Sequence, residues 1–260
     1  MNRLEYSPND AIAALATPWG ESALAVIRVS GPGSLARLSG LFSPTEALES
    51  AAGRTTVHGR LLDPEAGGEP VDEVLVAVYR APHSYTGEEG AELFTHGSPG
   101  LVRRVLALLG RAGFRPAGPG EFTLRAFLNG KLGLTQAEAV NEVVRARTDR
   151  ARSLALHRLA GSIETRLREL KERLLRFQAA VEVRLDYPEE DLPPELAPEA
   201  ELEACEQELT RLAASYRIGR LYQEGVSAVL AGRTNSGKST LFHVIITNLA
   251  LAAIIVIAGL

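Results

Sequence analysis

The chain has 260 residues, 45% hydrophobic and 23% charged, which is ample material for one or two buried cores and excludes a disordered chain. A formal net charge of -4 excludes a bulk electrostatic drive toward nucleic acid or anionic membrane, so such contacts must come from a local basic stripe or a partner. The single cysteine excludes an internal disulfide framework, and MNRLEYSPND lacks the basic-then-apolar pattern of an export signal, so a cytoplasmic setting is expected.

Residues 1–122 read as an α+β domain. ALAVIRVS (23–30), DEVLVAVYR (72–80) and the shorter AELFT (91–95) are rich in β-branched and apolar residues and predict strands. PGLVRRVLALLGRAG (99–113) has apolar residues at helical spacing, with Pro near its start and Gly near its end. The Gly/Pro-rich FRPAGPGEF (114–122) reads as a hinge that closes the first domain.

Residues 123–224 read as the first half of an α-helical bundle. TQAE (135–138) has the form of a capping box, with Thr135 as N-cap and Glu138 three residues on. Ile163, Leu167, Leu170, Leu174, Phe177, Val181 and Leu185 recur at steps of three and four, the stripe of a long amphipathic helix. YPEEDLPPELAPE (187–199) is too Pro-rich to continue that helix, and its Glu189–Glu190–Asp191 run reads as a solvated loop. Leu202, Cys205, Leu209, Leu212 and Tyr216 mark a third helix, on which Cys205 reads as a small buried hydrophobe and not a catalytic thiol. The histidines at 58, 83, 96, 157 and 243 show no metal-ligand spacing.

Residues 225–260 read as the start of an α/β P-loop domain. VSAVLAG (226–232) predicts a strand running into GRTNSGKST (232–240), which satisfies G-x-x-x-x-G-K-[ST] through Gly232, Gly237, Lys238 and Ser239. The glycines let backbone N–H groups curl around a phosphate, Lys238 reaches the β and γ phosphates, and the Ser239 hydroxyl suits magnesium. Leu241 to Leu260 contains no Asp, Glu, Lys or Arg and reads either as a buried strand or as a borderline membrane span. Thr247 and Asn248 within it, and the lack of a following basic flank, argue against stable membrane association. The carboxylate for the magnesium shell, the water-positioning residue and the base-reading motif of a nucleoside triphosphatase do not fit in these residues. No catalytic residue for hydrolysis is therefore expected within the chain.

DAIAALATPWGESALAVIRVSG (10–31), SYTGEEGAELFTHG (84–97), GPGEFTLRAFLNGKLGLTQAEAV (118–140), LDYPEED (185–191) and AGRTNSGKSTL (231–241) together resemble the MnmE (TrmE) family of tRNA modification GTPases, in that family's order. The resemblance implies an N-terminal domain that dimerises and binds 5-formyl- or methylene-tetrahydrofolate, with contacts from Arg28, Glu92 and Lys131. A pterin's donor edge suits a carboxylate, and folate's glutamate tail suits Arg or Lys. It also implies GTP contacts from Asn235, Ser236, Gly237, Lys238, Ser239 and Thr240, potassium at Asn235 and magnesium at Ser239. The implied partners are tRNA and the flavoprotein MnmG (GidA), and the implied product is carboxymethylaminomethyl- or aminomethyl-uridine at the wobble position. The chain departs from the family's usual residues at Trp19, Glu21 and Thr234, and from His243 onward it lacks the post-loop helix and switch, and the terminal cysteine motif. The chain is thus expected to be truncated after the phosphate loop, and a folate-binding dimerisation fragment without GTPase activity is the alternative expectation.

Overall fold

The computed structural model describes residues 10–146, 148–186, 199–224, 229, 231–233 and 236–244, the side chains of 199 and 216–224 excepted. Two compact units divide the chain, residues 1–205 and 206–260.

The amino-terminal part of the first unit is built on a seven-stranded sheet. Its strands are β1 (Ala11–Leu15), β2 (Ser22–Ser30), β3 (Phe42–Ser43), β4 (Thr55–Asp63), β5 (Glu69–Tyr79), β6 (Gly90–Gly97) and β7 (Phe114–Pro116). They lie in the order β3-β4-β5-β6-β2-β1-β7. Every pairing is antiparallel except that of β1 with β7, which is parallel. Alternation decides the faces: Ala25, Ile27 and Val29 of β2 are buried, whereas Leu24 is 59% exposed. The buried face packs beneath α1 (Ser34–Ser39), α2 (Thr45–Glu49) and α3 (Pro99–Arg111). In α3, Pro99 fills the first turn, the Ser98 hydroxyl accepts from Leu101 N, and Val102, Val105, Leu108 and Leu109 form the buried stripe. Each such side chain contributes about 1.5–3 kcal/mol by leaving water. The opposite sheet face is open at Leu24 and Leu75.

The segment read as a hinge, 114–122, is instead tied into this domain. Phe114–Pro116 forms β7 against β1, and Glu121 opens α4 (Glu121–Leu128). Gly and Pro mark a tight corner here and not a free joint: Gly120 adopts φ 75, a conformation that favours glycine, immediately before the helix.

Helices then follow: α5 (Leu134–Arg145), α6 (Asp149–Leu159), α7 (Ser162–Asp186) and α8 (Glu199–Glu224). The expected capping arrangement of α5 is displaced. Gly133 is the N-cap, and the Gln136 side chain accepts from its backbone N–H at 2.9 Å. Thr135 thus lies inside the first turn with its Oγ1 buried and without a partner among the described residues. Gln136, and not Glu138, occupies the third helical position once the helix begins at Leu134. On α7 the predicted stripe is helical, but only Leu170 is buried, while Leu167 is 43% and Leu185 73% exposed. Cys205 is buried and free, in keeping with its reading as a small hydrophobe.

Candidate functional site

Antiparallel pairing of β2 with β6 sets Arg28 directly opposite Glu92, and that of β6 with β5 sets Ala77 beyond it. On the open face the Arg28 guanidinium therefore meets the Glu92 carboxylate, with Nε at 2.8 Å and Nη2 at 2.7 Å from Oε1. Two aromatic rings flank the same guanidinium, Tyr85 at 5.3 Å and Phe122 at 5.6 Å from their centroids. The Tyr79 hydroxyl donates to the other Glu92 oxygen at 3.5 Å. Burial, and then the Glu92 charge, push the Tyr79 phenol above its ordinary pKa, so it remains a donor. Arg28, Tyr79, Tyr85 and Glu92 line a cavity of about 110 Å³, together with Ser30, Ser84 and Thr86.

Linked to this cavity through Ser30 is a partly buried ionic cluster. Arg125, on α4, is fully buried, and its guanidinium contacts Asp10 at 2.5 Å, Glu121 at 3.1 Å and Glu88 at 3.2 Å. Arg115, on β7, reaches Asp10 at 2.6 Å and Glu121 at 2.5 Å. Burial raises the Asp10 carboxyl, but hydrogen bonds from Arg115 and Arg125 outweigh it and hold the group below its ordinary pKa. Glu121 behaves alike: burial raises it, and Arg115, the Gly118 N–H and Arg125 more than reverse the effect. Glu88 carries the cluster to the cavity, because Ser30 Oγ donates to it at 2.8 Å.

Lys131 does not line the cavity. It follows α4, where its N–H donates to Ala126 O at 2.8 Å, and its ammonium donates to Pro82 O at 3.1 Å. Asn129 Nδ2 donates to Thr86 O at 2.7 Å, so the segment after α4 lies along the loop that walls the cavity. Gly87 has φ 79, and a Cβ there would stand 3.2 Å from Lys131 Cγ. The residues predicted from the resemblance are thus placed as one contacting pair, Arg28–Glu92, with Lys131 on the neighbouring loop. Asp10, Ser30, Glu88, Arg115, Glu121 and Arg125 were not foreseen; the one local signal was the i,i+4 spacing of Glu121 and Arg125.

Around the phosphate-loop sequence, Lys238 Nζ donates to the carbonyls of Gly232 at 2.8 Å and Arg233 at 2.5 Å. Gly237 has φ 80, and residues 238–244 are helical. A Cβ on Gly232 would stand 2.9 Å from Ser236 Oγ, so the backbone there is closely approached. Ser239 and Thr240 lie in its first turn and are exposed. Thr234 and Asn235 lie outside the described residues, as do most of the expected strand 226–232 and all of 245–260. Among the described residues no helix is long and apolar enough to cross a membrane.

A seven-stranded sheet domain with a cation–carboxylate cavity, followed in the chain by long helices, defines an α+β domain and a helical domain in series. Residues 11–131 match the family described as GTP-binding protein TrmE N-terminus, and residues 134–252 match the MnmE helical domain. The chain is 41% identical over 242 residues to the tRNA modification GTPase MnmE of Carboxydothermus hydrogenoformans, covering 91% of this chain and 52% of that protein. It is 44% identical over 241 residues to that of Borrelia turicatae, covering 93% and 52% of the two chains. To that of Chlorobaculum tepidum it is 45% identical over 244 residues, covering 92% and 51%. The chain belongs to the MnmE (TrmE) family of tRNA modification GTPases. It spans about half the length of these relatives.

Proposed function

We propose that the chain is the folate-binding and first helical part of an MnmE-type tRNA modification GTPase, a cytoplasmic enzyme acting at the tRNA wobble uridine. Residues 1–122 are the folate domain, 123–224 the helical half and 225–260 the start of the nucleotide domain. The observation that carries the folate reading is the Arg28–Glu92 pair on the wall of the cavity. Glu92 offers acceptors to the N–H edge of a pterin, Arg28 donates to a carbonyl or carboxylate, and the Tyr85 ring suits a flat heterocycle. At about 110 Å³ the cavity is smaller than the ~300–1,000 Å³ usual for such ligands, so it receives only part of one. Lys131 lies close enough to the cavity loop to attract a folate's anionic tail. When bound, the tetrahydrofolate derivative supplies a one-carbon unit; the chain's residues bind and orient it.

GTP would contact residues 235–240, with magnesium at Ser239 and potassium at Asn235. The folded-back Lys238, the left-handed Gly237 and the helix that follows support a phosphate cradle. Leu24 and Leu75, 59% and 46% exposed on the open sheet face, support dimerisation through the first domain. MnmG and tRNA are the proposed partners of the complete assembly. The family matches over residues 11–131 and 134–252 support one second reading, a folate-binding dimerisation fragment without GTPase activity.

The folate reading is tested by equilibrium binding of 5-formyltetrahydrofolate. Arg28→Ala is expected to weaken it by at least about tenfold, the worth of a charge-assisted hydrogen bond; unchanged affinity removes Arg28 from the site. GTP turnover in potassium against sodium separates the other two readings. Potassium-dependent hydrolysis supports the enzyme, and none in either salt supports the fragment.

A further inference from the structure

The cavity's hydroxyls are joined in a chain that ends on one carboxylate. Glu88 receives Arg125 Nη1 at 3.2 and 3.4 Å on its two oxygens, and Ser30 Oγ at 2.8 Å. Ser30 Oγ and Thr86 Oγ1 are 2.7 Å apart, and Thr86 Oγ1 lies 3.5 Å from Ser84 Oγ. The Glu88 backbone N–H donates to Thr86 Oγ1 at 3.2 Å. Ser30 and Thr86 are buried, at 2% and 3% exposure, and each has its partners within this chain of hydroxyls.

The direction of each bond follows from proton counting. A carboxylate accepts only, so Ser30 gives its single hydrogen to Glu88. The 2.7 Å contact must then be donated by Thr86, and the longer contact to Thr86 by Ser84. Thr86 is saturated by this arrangement, with both lone pairs and its hydrogen used. Ser30 keeps one free lone pair and Ser84 keeps two. Glu92 is also an acceptor, and the Tyr79 hydrogen is already directed at it.

We infer that Glu88, anchored by Arg125, fixes the hydrogen-bond polarity of the cavity wall, so that Ser84 presents only lone pairs to the cavity and selects a ring edge bearing N–H donors. Glu88 is a positioning residue that acts through the hydroxyl chain. The inference rests on the folate reading, since a reduced pterin carries such donors at its 2-amino group, N3 and N8. It adds a determinant of which pterin edge is accepted, beyond Arg28, Glu92 and Lys131.

Glu88→Gln reverses the chain. The amide oxygen turns toward Arg125 and the amide nitrogen donates to Ser30. Ser30 then donates to Thr86, Thr86 to Ser84, and the Ser84 hydrogen is released into the cavity. The probes are 5-formyltetrahydrofolate and its 2-desamino and 8-deaza analogues, each of which lacks one ring-edge donor. The unsubstituted chain is expected to prefer the parent over at least one analogue by about tenfold, the worth of one well-made hydrogen bond. Glu88→Gln is expected to bring that preference to within about twofold. Thr86→Val, which cuts the chain in the middle, should do the same, while Thr86→Ser should retain the preference; this pair serves if Glu88→Gln does not fold. Preferences that persist in Glu88→Gln or Thr86→Val overturn the inference, as does a proportional loss for all three probes. If the unsubstituted chain binds none of the probes, the folate reading itself falls, an outcome distinct from any result with the variants.

Discussion

Replacing Arg125 with methionine removes the one cation that three carboxylates share, a guanidinium with no exposure to solvent of its own. Asp10 at 2.5 Å, Glu121 at 3.1 Å and Glu88 at 3.2 Å would then face one another with only Arg115 left among them, and Arg115 reaches only the first two. Removing one partner of a buried ion pair costs about 3–5 kcal/mol, a large share of the ~5–15 kcal/mol that holds a domain together. With a urea dependence of about 2 kcal/mol/M, the unfolding midpoint of Arg125→Met should fall by about 2 M at pH 7. Acid gives a second readout. Asp10 and Glu121 are held below their ordinary values in the folded chain, so their stabilisation is present above the unfolded pKa values of about 4 and is lost as pH falls through the folded ones. The unsubstituted chain should therefore lose stability in acid. Arg125→Met, whose carboxyls are less depressed, should lose less, and the gap between the two should narrow below about pH 4. A midpoint shift under about 0.5 M at pH 7, or a gap that does not change with pH, would refute the assignment of this cluster as a charge-dependent clamp.

Two further substitutions probe packing. A Cβ at Gly59 would collide with the Phe42 ring and stand 2.5 Å from Ser43 O, so Gly59→Ala should destabilise the sheet domain by about 1–3 kcal/mol, read as a lowered thermal midpoint; an unchanged midpoint would show that β3 moves aside freely. Thr135→Val removes a buried hydroxyl that has no partner among the described residues and should raise stability by about 1 kcal/mol in a urea titration, whereas a loss of similar size would mean that the hydroxyl is hydrogen-bonded in solution.

Much of the scaffold could be read from residue patterns, because the central strands and long helices follow one period each. β2, β5 and β6 are apolar runs bounded by turn residues, and α3 has its Pro start and a clean stripe. β1 is AIAAL, whose alanines carry no strand signal, and β4 alternates polar residues along TTVHGRLLD with a glycine at its centre. Both are defined by pairing and not by local preference. In the site, Arg28, Glu92 and Lys131 came from a resemblance, and only the register of β2 on β6 accounts for the first two meeting. The clamp was invisible for a different reason. Asp10 and Arg125 are separated by 115 residues, and a charged residue in a sequence reads as surface until a partner is known. On α7 the apolar stripe was enough to give the helix, but burial depends on the neighbour, and Leu167 and Leu185 are exposed.

The parallel pairing of β1 with β7 also bears on how the chain folds as it is synthesised. β2 can close on β1 as soon as residue 30 has emerged, but Ala11 waits for Phe114 and Asp10 waits for Arg125. At about 5–20 residues per second, a ribosome takes several seconds to extend the chain from one of these points to the other. Throughout that interval the outer edge of β1 presents unpaired N–H and C=O groups, a template for pairing with another chain. Arrival of residues 114–125 closes that edge with a strand and, almost at once, locks it with two arginines. The domain thus completes its sheet late, and variants that weaken the lock should be recognised first by poor recovery of soluble protein during expression.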